Sequence, residues 1–166
     1  MVEAVIFDLD GTIINLPIDY DELFDQFRKI MKTENIQPIT ETIAKLEKKT
    51  RIQVFKVWDA AEANALPRIT PNTEGIVTYK AFSNAPKALV TMQGKALTMA
   101  ILKHLSLSFD VIITREDSLS RIKQLKKAAQ QLETKPQSVL FVGNTEGDQA
   151  AADEFGCQFL KITSEP

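Results

Sequence analysis

Apolar and polar residues alternate along this chain with two different periods. Short, nearly continuous apolar runs are typical of buried strands. They occur near residues 2–7, 88–92, 111–114, 139–142 and 159–162. The stretches 95–105, 118–132 and 145–155 instead carry apolar residues at helical spacing. Repeated strand–helix units predict an α/β fold, in which a parallel sheet is covered by helices on both faces.

The segment that follows the first strand has a purely helical pattern. Its first apolar series predicts a helix from Asp19 to Glu34, which Asn35 and Pro38 would end. Thr40 is the expected N-cap of a second helical stretch, and the polar patch 48–51 is expected to divide that stretch in two. The pattern therefore predicts an α/β core with a helical insertion.

Composition narrows the class of protein. The 166 residues are 44% hydrophobic and 25% charged, which is an ordinary globular mixture. The net charge of −2 gives no indication of nucleic-acid binding. One cysteine, Cys157, excludes an intrachain disulfide, and the chain start has neither a basic region nor a long apolar run. We therefore expect a cytoplasmic protein with no membrane association.

Polar residues follow three of the predicted strands. Asp8 and Asp10 come after the first strand, Thr91 ends the second, and Asn144 and Asp148 follow the fourth. Ligands of open α/β sheets bind at the carboxyl ends of the strands. Residues two apart in extended chain point to the same side, so the first two carboxylates can share a pocket. Such a pair can bind a divalent cation or divide into a nucleophile and a proton carrier.

The run Phe7-Asp8-Leu9-Asp10-Gly11-Thr12-Ile13 resembles the first signature of the haloacid dehalogenase (HAD) superfamily. The order and spacing of the later motifs are also similar to those of the superfamily, so the resemblance covers nearly all of the chain. The resemblance implies a Rossmann-like catalytic core, residues 1–14 and 67–166, and a small all-α cap, residues 15–66. It also implies that Asp8 is the nucleophile that becomes an aspartyl phosphate. Asp10 would be the general acid and then the base, with its backbone carbonyl in the shell of a Mg²⁺ ion.

The remaining signatures are matched less closely. Thr91 resembles the second one, whose hydroxyl would bind phosphate with the help of backbone N–H groups near Gln93 and Gly94. The third is a basic residue that neutralises phosphate. Counting back from the fourth strand without gaps selects Arg121 for it, and a short deletion selects Lys123.

The fourth signature normally reads Gly-Asp-x-x-x-Asp, and here Asn144 replaces the first acid while Asp148 retains the second. An amide oxygen can still bind a cation but carries no charge. The resemblance thus predicts a weakened Mg²⁺ site formed by Asp8, Asp10, Asn144 and Asp148.

These residues favour a Mg²⁺-dependent phosphomonoester hydrolase that acts on a small phosphorylated metabolite selected by the cap. A haloacid dehalogenase is an alternative, although those enzymes generally lack an acid at the position of Asp10. A phosphomutase would use the same residues. A binding or regulatory protein with weakened catalysis is the remaining alternative, and Asn144 is among the observations that support it.

Overall fold

The computed structural model describes residues 1–163. In chain order the elements are β1 (Ala4–Phe7), β2 (Ile14–Asn15), α1 (Tyr20–Met31), α2 (Ile39–Ala44), α3 (Lys48–Ala65), β3 (Thr70–Pro71), α4 (Thr73–Ala81), β4 (Lys87–Val90), α5 (Lys95–Leu105), β5 (Val111–Ile113), α6 (Arg121–Gln131), β6 (Val139–Gly143), α7 (Glu146–Phe155) and β7 (Gln158–Lys161). No helix in this part of the chain has the length and apolar content needed to cross a bilayer.

Five parallel strands form the main sheet in the order β5-β4-β1-β6-β7. Strand β1 lies at the centre and is buried along its whole length. Its side chains alternate between two apolar clusters: Val5 and Phe7 pack with Ile101 of α5, and Ile6 packs with Leu125 of α6. The predicted α/β fold, with helices on both faces of a parallel sheet, is confirmed.

The helical insertion has an apolar cluster of its own. Helices α1, α2 and α3 supply its fully buried members, together with Ile36 from the connection: Leu23, Phe27, Ile36, Ile43, Val54 and Trp58. Asp19 caps α1 by accepting a hydrogen bond from the backbone N–H of Glu22. Because these helices bury side chains mainly against each other, the insertion is a packed unit and not a long loop.

Two local predictions in the insertion are wrong. Helix α2 follows Pro38 and contains Thr40, which is therefore not an N-cap. The polar patch 48–51 does not divide a helix but begins α3, and the break precedes it. Lysine and arginine are good helix formers when they face solvent, so a charged run is a poor helix terminator.

Helix α4 has no counterpart among the predicted elements. Gly75 is its only fully buried residue, so it shows no apolar stripe in the sequence. A Cβ atom at Gly75 would lie 1.7 Å from the backbone oxygen of Thr12. The side chain of Asn72 caps α4 through the N–H of Gly75 and donates to the backbone oxygen of Gly11. This contact of α4 holds the loop that follows β1.

Strands β2 and β3 pair antiparallel where the chain enters and leaves the helical insertion. Ile14 lies opposite Pro71, and Asn15 lies opposite Thr70. The pair is close to both predicted limits of the cap, residues 15 and 66. The division into core and cap stays a prediction.

Candidate active site

A cleft of about 400 Å³ opens at the carboxyl ends of β1, β4 and β6. Residues from these strand ends and from the start of α6 and α7 line it. They are Asp8, Asp10, Gly11, Asn15, Leu16, Thr91, Met92, Gln93, Arg121, Asn144, Thr145 and Asp148. Every site residue predicted from the sequence lies here except Lys123.

Asp8 lies at the floor of the cleft. Its backbone N–H donates to the oxygen of Val142, and one carboxylate oxygen accepts from Nη2 of Arg121 at 3.0 Å. Burial raises the pKa of Asp8 to about 7, against the opposing effect of the Arg121 charge, and the nearby Asp148 raises it further. A second positive charge would therefore stabilise the ionised form of this carboxylate.

Asp10 has different partners, although it lies in the same cleft. Its Oδ1 accepts from the backbone N–H of Leu16 at 2.9 Å, and its Oδ2 from the hydroxyl of Tyr20 at 3.5 Å. Burial raises the pKa of Asp10, while these hydrogen bonds lower it. Gly11 has a φ of 78°, which lets the chain turn sharply after this residue. A carboxyl group with a raised pKa is suited to carry a proton.

Arg121 lies between the carboxylates of Asp8 and Asp148 and contacts both. Its Nη2 donates to Asp8 and its Nε to Oδ1 of Asp148 at 3.1 Å. Ser120 caps α6, so Arg121 occupies the first helical position and faces the cleft. Lys123 lies two residues further on and is exposed. The structure therefore places Arg121, and not Lys123, beside Asp8, and the phosphate contact of either residue stays a prediction.

We expect Arg121→Ala to lower kcat/KM for a phosphate ester about a hundredfold, which is the usual effect of removing one charge-stabilising donor. Lys123→Ala should change it less than twofold. Both KM and kcat should respond to Arg121→Ala, because the guanidinium would contact phosphate before and during the reaction. Steady-state kinetics of the two variants measure this, and equal losses would contradict the assignment.

Thr91 directly follows β4, is buried, and lines the same cleft as Asp8. Its hydroxyl accepts from the backbone N–H of Gln93 at 3.0 Å. The N–H of Gly94 donates to the carboxylate of Glu62 in α3. Both N–H groups thus have partners within the protein, and phosphate binding by N–H groups near Gln93 and Gly94 stays a prediction. Thr91 itself lines the cleft.

Asp148 is held by the start of its own helix. Its Oδ2 accepts from the N–H groups of Asn144 and Thr145, and Thr145 completes a capping box. A Cβ atom at Gly143 would lie 2.7 Å from this oxygen, so glycine is needed for the close approach. The side-chain oxygen of Asn144 accepts from the hydroxyl of Thr12 at 3.4 Å.

A cation bound near Asp8 and Asp148 would have few charged ligands. Within residues 1–163, no three His, Cys, Asp or Glu side chains gather in a way that could hold a metal ion. The oxygen groups that line this cluster are two buried carboxylates, Asp8 and Asp148, the amide oxygen of Asn144 and the backbone oxygen of Asp10. All are hard oxygen ligands of the kind that Mg²⁺ prefers. The set fits a weakly held Mg²⁺ ion.

Three further side chains that position the site have no motif in the sequence. Gln124 is completely buried, and its amide donates to the backbone oxygens of Thr91 and Ser118 while its Oε1 accepts from Arg121. Tyr20, from α1, reaches Asp10. The third, Arg115, follows β5. Each of these side chains contacts at least one residue that is distant in the sequence. The spacing of residues in the sequence therefore could not reveal their roles.

Arg115 joins the helical insertion to the core. It is fully buried, and its guanidinium makes two hydrogen bonds with Glu62, at 2.8 and 2.9 Å, and a third with Asp59. It also donates to the backbone oxygen of Met92 and lies 4.3 Å from the ring centre of Trp58. This cluster ties α3 to the loop after β4, which forms one wall of the cleft.

The haloacid dehalogenase-like hydrolase family model matches residues 5–162. The chain belongs to this family. It is therefore a HAD-superfamily hydrolase with the fold that its sequence resemblance implied. A comparison with curated proteins found no significant match.

Solved structures with the same fold have diverged far in sequence. A haloacid dehalogenase-like hydrolase from Streptococcus pneumoniae is 21% identical, with a TM-score of 0.71 over 98% of this chain and 85% of that one. CbbY from Rhodobacter sphaeroides, solved in complex with phosphate, is 14% identical, with a TM-score of 0.67 over 99% and 88%. L-2-haloacid dehalogenase from Xanthobacter autotrophicus is 17% identical, with a TM-score of 0.62 over 98% and 78%. At these identities the similarity establishes the fold and not the reaction.

Proposed function

We propose that this hydrolase is a Mg²⁺-dependent phosphatase that cleaves phosphomonoesters of small metabolites through an aspartyl phosphate on Asp8. The observation that carries the proposal is the unlike pair of carboxyl groups in one cleft. Asp8 contacts the guanidinium of Arg121, while Asp10 contacts an N–H and a hydroxyl. One carboxyl group is therefore placed beside a charge that can bind phosphate, and the other is suited to proton transfer.

In the proposed reaction an oxygen of Asp8 attacks phosphorus, and the bond between phosphorus and the ester oxygen breaks. The proton of Asp10 goes to that ester oxygen, so the leaving group departs as an alcohol. Asp10, now ionised, takes a proton from a water molecule whose oxygen attacks the aspartyl phosphate. This step releases phosphate and restores both carboxyl groups. Arg121 and Thr91 would hold phosphate oxygens throughout.

A bound Mg²⁺ would neutralise charge on the phosphate and on Asp8. Asp8, Asp148, the amide of Asn144 and the backbone oxygen of Asp10 are the groups that would hold it. Because Asp8 and Asp148 are both buried, the protein alone supplies only Arg121 against two carboxylates. This imbalance supports a requirement for the metal.

Asp10 favours a phosphatase over a dehalogenase. Hydrolysis of a carbon–halogen bond releases a halide, which needs no proton, whereas an alkoxide leaving group does. The contacts of Asp10 keep a protonatable carboxyl group in the cleft. A phosphomutase, or a binding protein with weakened catalysis, would retain the same geometry and differ only in turnover.

The test is hydrolysis of p-nitrophenyl phosphate by the purified protein with and without Mg²⁺, after removal of metals with EDTA. We expect turnover that depends on added Mg²⁺. A chloroalkanoic acid offered under the same conditions should give no chloride release. Absence of phosphatase turnover at any Mg²⁺ concentration would contradict the proposal and favour a binding role.

We expect Asn144→Asp to lower the Mg²⁺ concentration needed for half-maximal activity. A unit charge about 4 Å from the cation is worth about 4 kcal/mol at an effective dielectric near 20, before desolvation offsets part of it. A decrease of at least tenfold in the midpoint is therefore expected. Titration of Mg²⁺ against turnover measures it, with exposed Asn64→Asp as the control for added charge. An unchanged midpoint would place position 144 outside the metal shell.

A further inference from the structure

Gln124 contacts Arg121 at the start of helix α6. The two residues are three positions apart, so their side chains lie on the same face of the helix. Gln124 is completely buried, whereas Arg121 lines the cleft and its side chain is 17% exposed. The Oε1 atom of Gln124 accepts from Nη1 of Arg121 at 2.7 Å. A buried amide therefore contacts the only cation among the described residues that line the cleft.

The nitrogen of the same amide is fixed to the core. It donates to the backbone oxygens of Thr91 and Ser118, both at 2.9 Å. Thr91 directly follows β4, which pairs with β1, the strand that leads to Asp8. A flipped amide would turn its N–H groups toward the guanidinium and its oxygen toward two carbonyl oxygens, so only one orientation satisfies all partners. Gln124 thereby ties Arg121 to the strand ends that form the cleft.

Each nitrogen of the Arg121 guanidinium has one partner among residues 1–163. Nη2 donates to Asp8, Nε to Asp148 and Nη1 to Gln124. A guanidinium has five N–H groups, so two of them, one on each terminal nitrogen, are left for a ligand. Because all three nitrogens are held, these two N–H groups have fixed directions, and a phosphate that binds them meets a preformed pair of donors.

The absence of charge on Gln124 preserves the attraction of Arg121 for an anion. Arg121 already contacts two carboxylates, and a third would offset more of its positive charge. An amide oxygen accepts the hydrogen bond and adds no net charge. Holding a long side chain in place before the ligand arrives also reduces the entropy that binding costs.

We propose that Gln124 is a positioning residue for phosphate binding, which fixes the guanidinium of Arg121 in the orientation whose two remaining N–H groups contact the phosphoryl group. Gln124 does not touch the substrate and acts only through Arg121. This inference rests on the proposed phosphatase function and extends it by a residue that no motif in the sequence indicates.

A double-mutant cycle distinguishes this role from a purely structural one. Gln124→Met keeps the length of the side chain and removes its polar atoms, and it should lower kcat/KM for p-nitrophenyl phosphate about tenfold, within the range that a misplaced group can cost. In the Arg121→Ala background it should lower kcat/KM less than twofold, because the guanidinium that Gln124 positions is already absent. The matched control is Gln130→Met, an exposed position on the same helix, which should have no effect. Equal losses in the two backgrounds would overturn the proposal.

Arg121→Lys tests the same idea without altering the buried amide. The variant keeps the charge, but one ammonium nitrogen cannot make the contacts of three guanidinium nitrogens. We expect a loss of about tenfold or more in kcat/KM, which addition of Gln124→Met should deepen less than twofold. Full activity of Arg121→Lys would show that charge suffices without a held guanidinium. That result would overturn the proposal even if Gln124→Met did not fold.

Binding of inorganic phosphate separates this inference from the proposed function. If the unmodified protein hydrolyses no phosphate ester, the phosphatase function fails. The same cycle is then measured as the dissociation constant of inorganic phosphate, by isothermal titration calorimetry at a fixed Mg²⁺ concentration. Non-additive losses of affinity would support the positioning role, and additive losses or no phosphate binding would overturn it. Turnover with additive losses would leave the phosphatase function intact and overturn only the role of Gln124.

Discussion

Asp8→Asn is expected to abolish hydrolysis of phosphate esters, with a loss greater than that of any other single substitution in the cleft. A carboxamide has nearly the shape of a carboxylate but cannot form the acyl phosphate, so the first chemical step has no nucleophile. Initial rates with p-nitrophenyl phosphate at saturating Mg²⁺ measure the loss. Turnover of the variant above the uncatalysed rate would contradict the assignment of Asp8 as nucleophile.

The same variant should fold, and the pH dependence of its stability provides a second test. The pKa of Asp8 is about 7 in the folded protein and near 4 when unfolded, so ionisation opposes folding. Stability present below pH 4 is therefore lost as the pH rises through about 7. Asn cannot ionise and escapes this loss. In EDTA, the melting temperature of Asp8→Asn should exceed that of the unmodified protein increasingly between pH 4 and 7, and level off above.

Arg115→Met is expected to have the largest effect on stability, a decrease of about 3–5 kcal/mol in the free energy of unfolding. Removal of one member of a buried ion pair leaves the other charge without compensation. Glu62 is as deeply buried as Arg115 and would keep only the N–H of Gly94 as a partner. Unfolding in urea, monitored by circular dichroism, measures the change.

A double variant separates the charge effect from lost packing. Arg115→Met combined with Glu62→Met replaces both ions by apolar side chains of similar volume, which is often nearly neutral for stability. We therefore expect the double variant to recover most of the stability lost in the single variant. A single-variant loss below about 1 kcal/mol, or a double variant less stable than the single one, would contradict the account of this cluster.

The chemistry of the cleft could be located from the sequence because it follows from local order. Asp8, Thr91 and Asn144 come directly after apolar strands, and parallel strands bring their carboxyl ends to one edge of a sheet. Asp10 and Asp148 lie two and four residues from members of this set, distances that a turn and a helical turn convert into proximity. A short spacing in the sequence was enough for each of them.

The choice between Arg121 and Lys123 depended on the phase of a helix, which spacing does not give. Ser120 caps α6 and thereby sets which side of the first turn faces Asp8. The two candidates are two residues apart, about 200° around a helix, so one faces the cleft and the other solvent. Only the position of α6 against the sheet decides between them.

The sequence by itself determined the α/β class, the helical insertion after β1 and the edge of the sheet that carries the reactive groups, since hydrophobic period and strand-end residues are local properties of the chain. The tertiary structure alone decided what surrounds those groups. Glu62 and Arg115 are 53 positions apart, and neither shows in the sequence that it is buried. Their pairing, like that of Tyr20 with Asp10 across the entry to the insertion, arises from packing of the helical segment on the sheet. Contacts between distant segments depend on shape complementarity over many residues, which no short motif encodes.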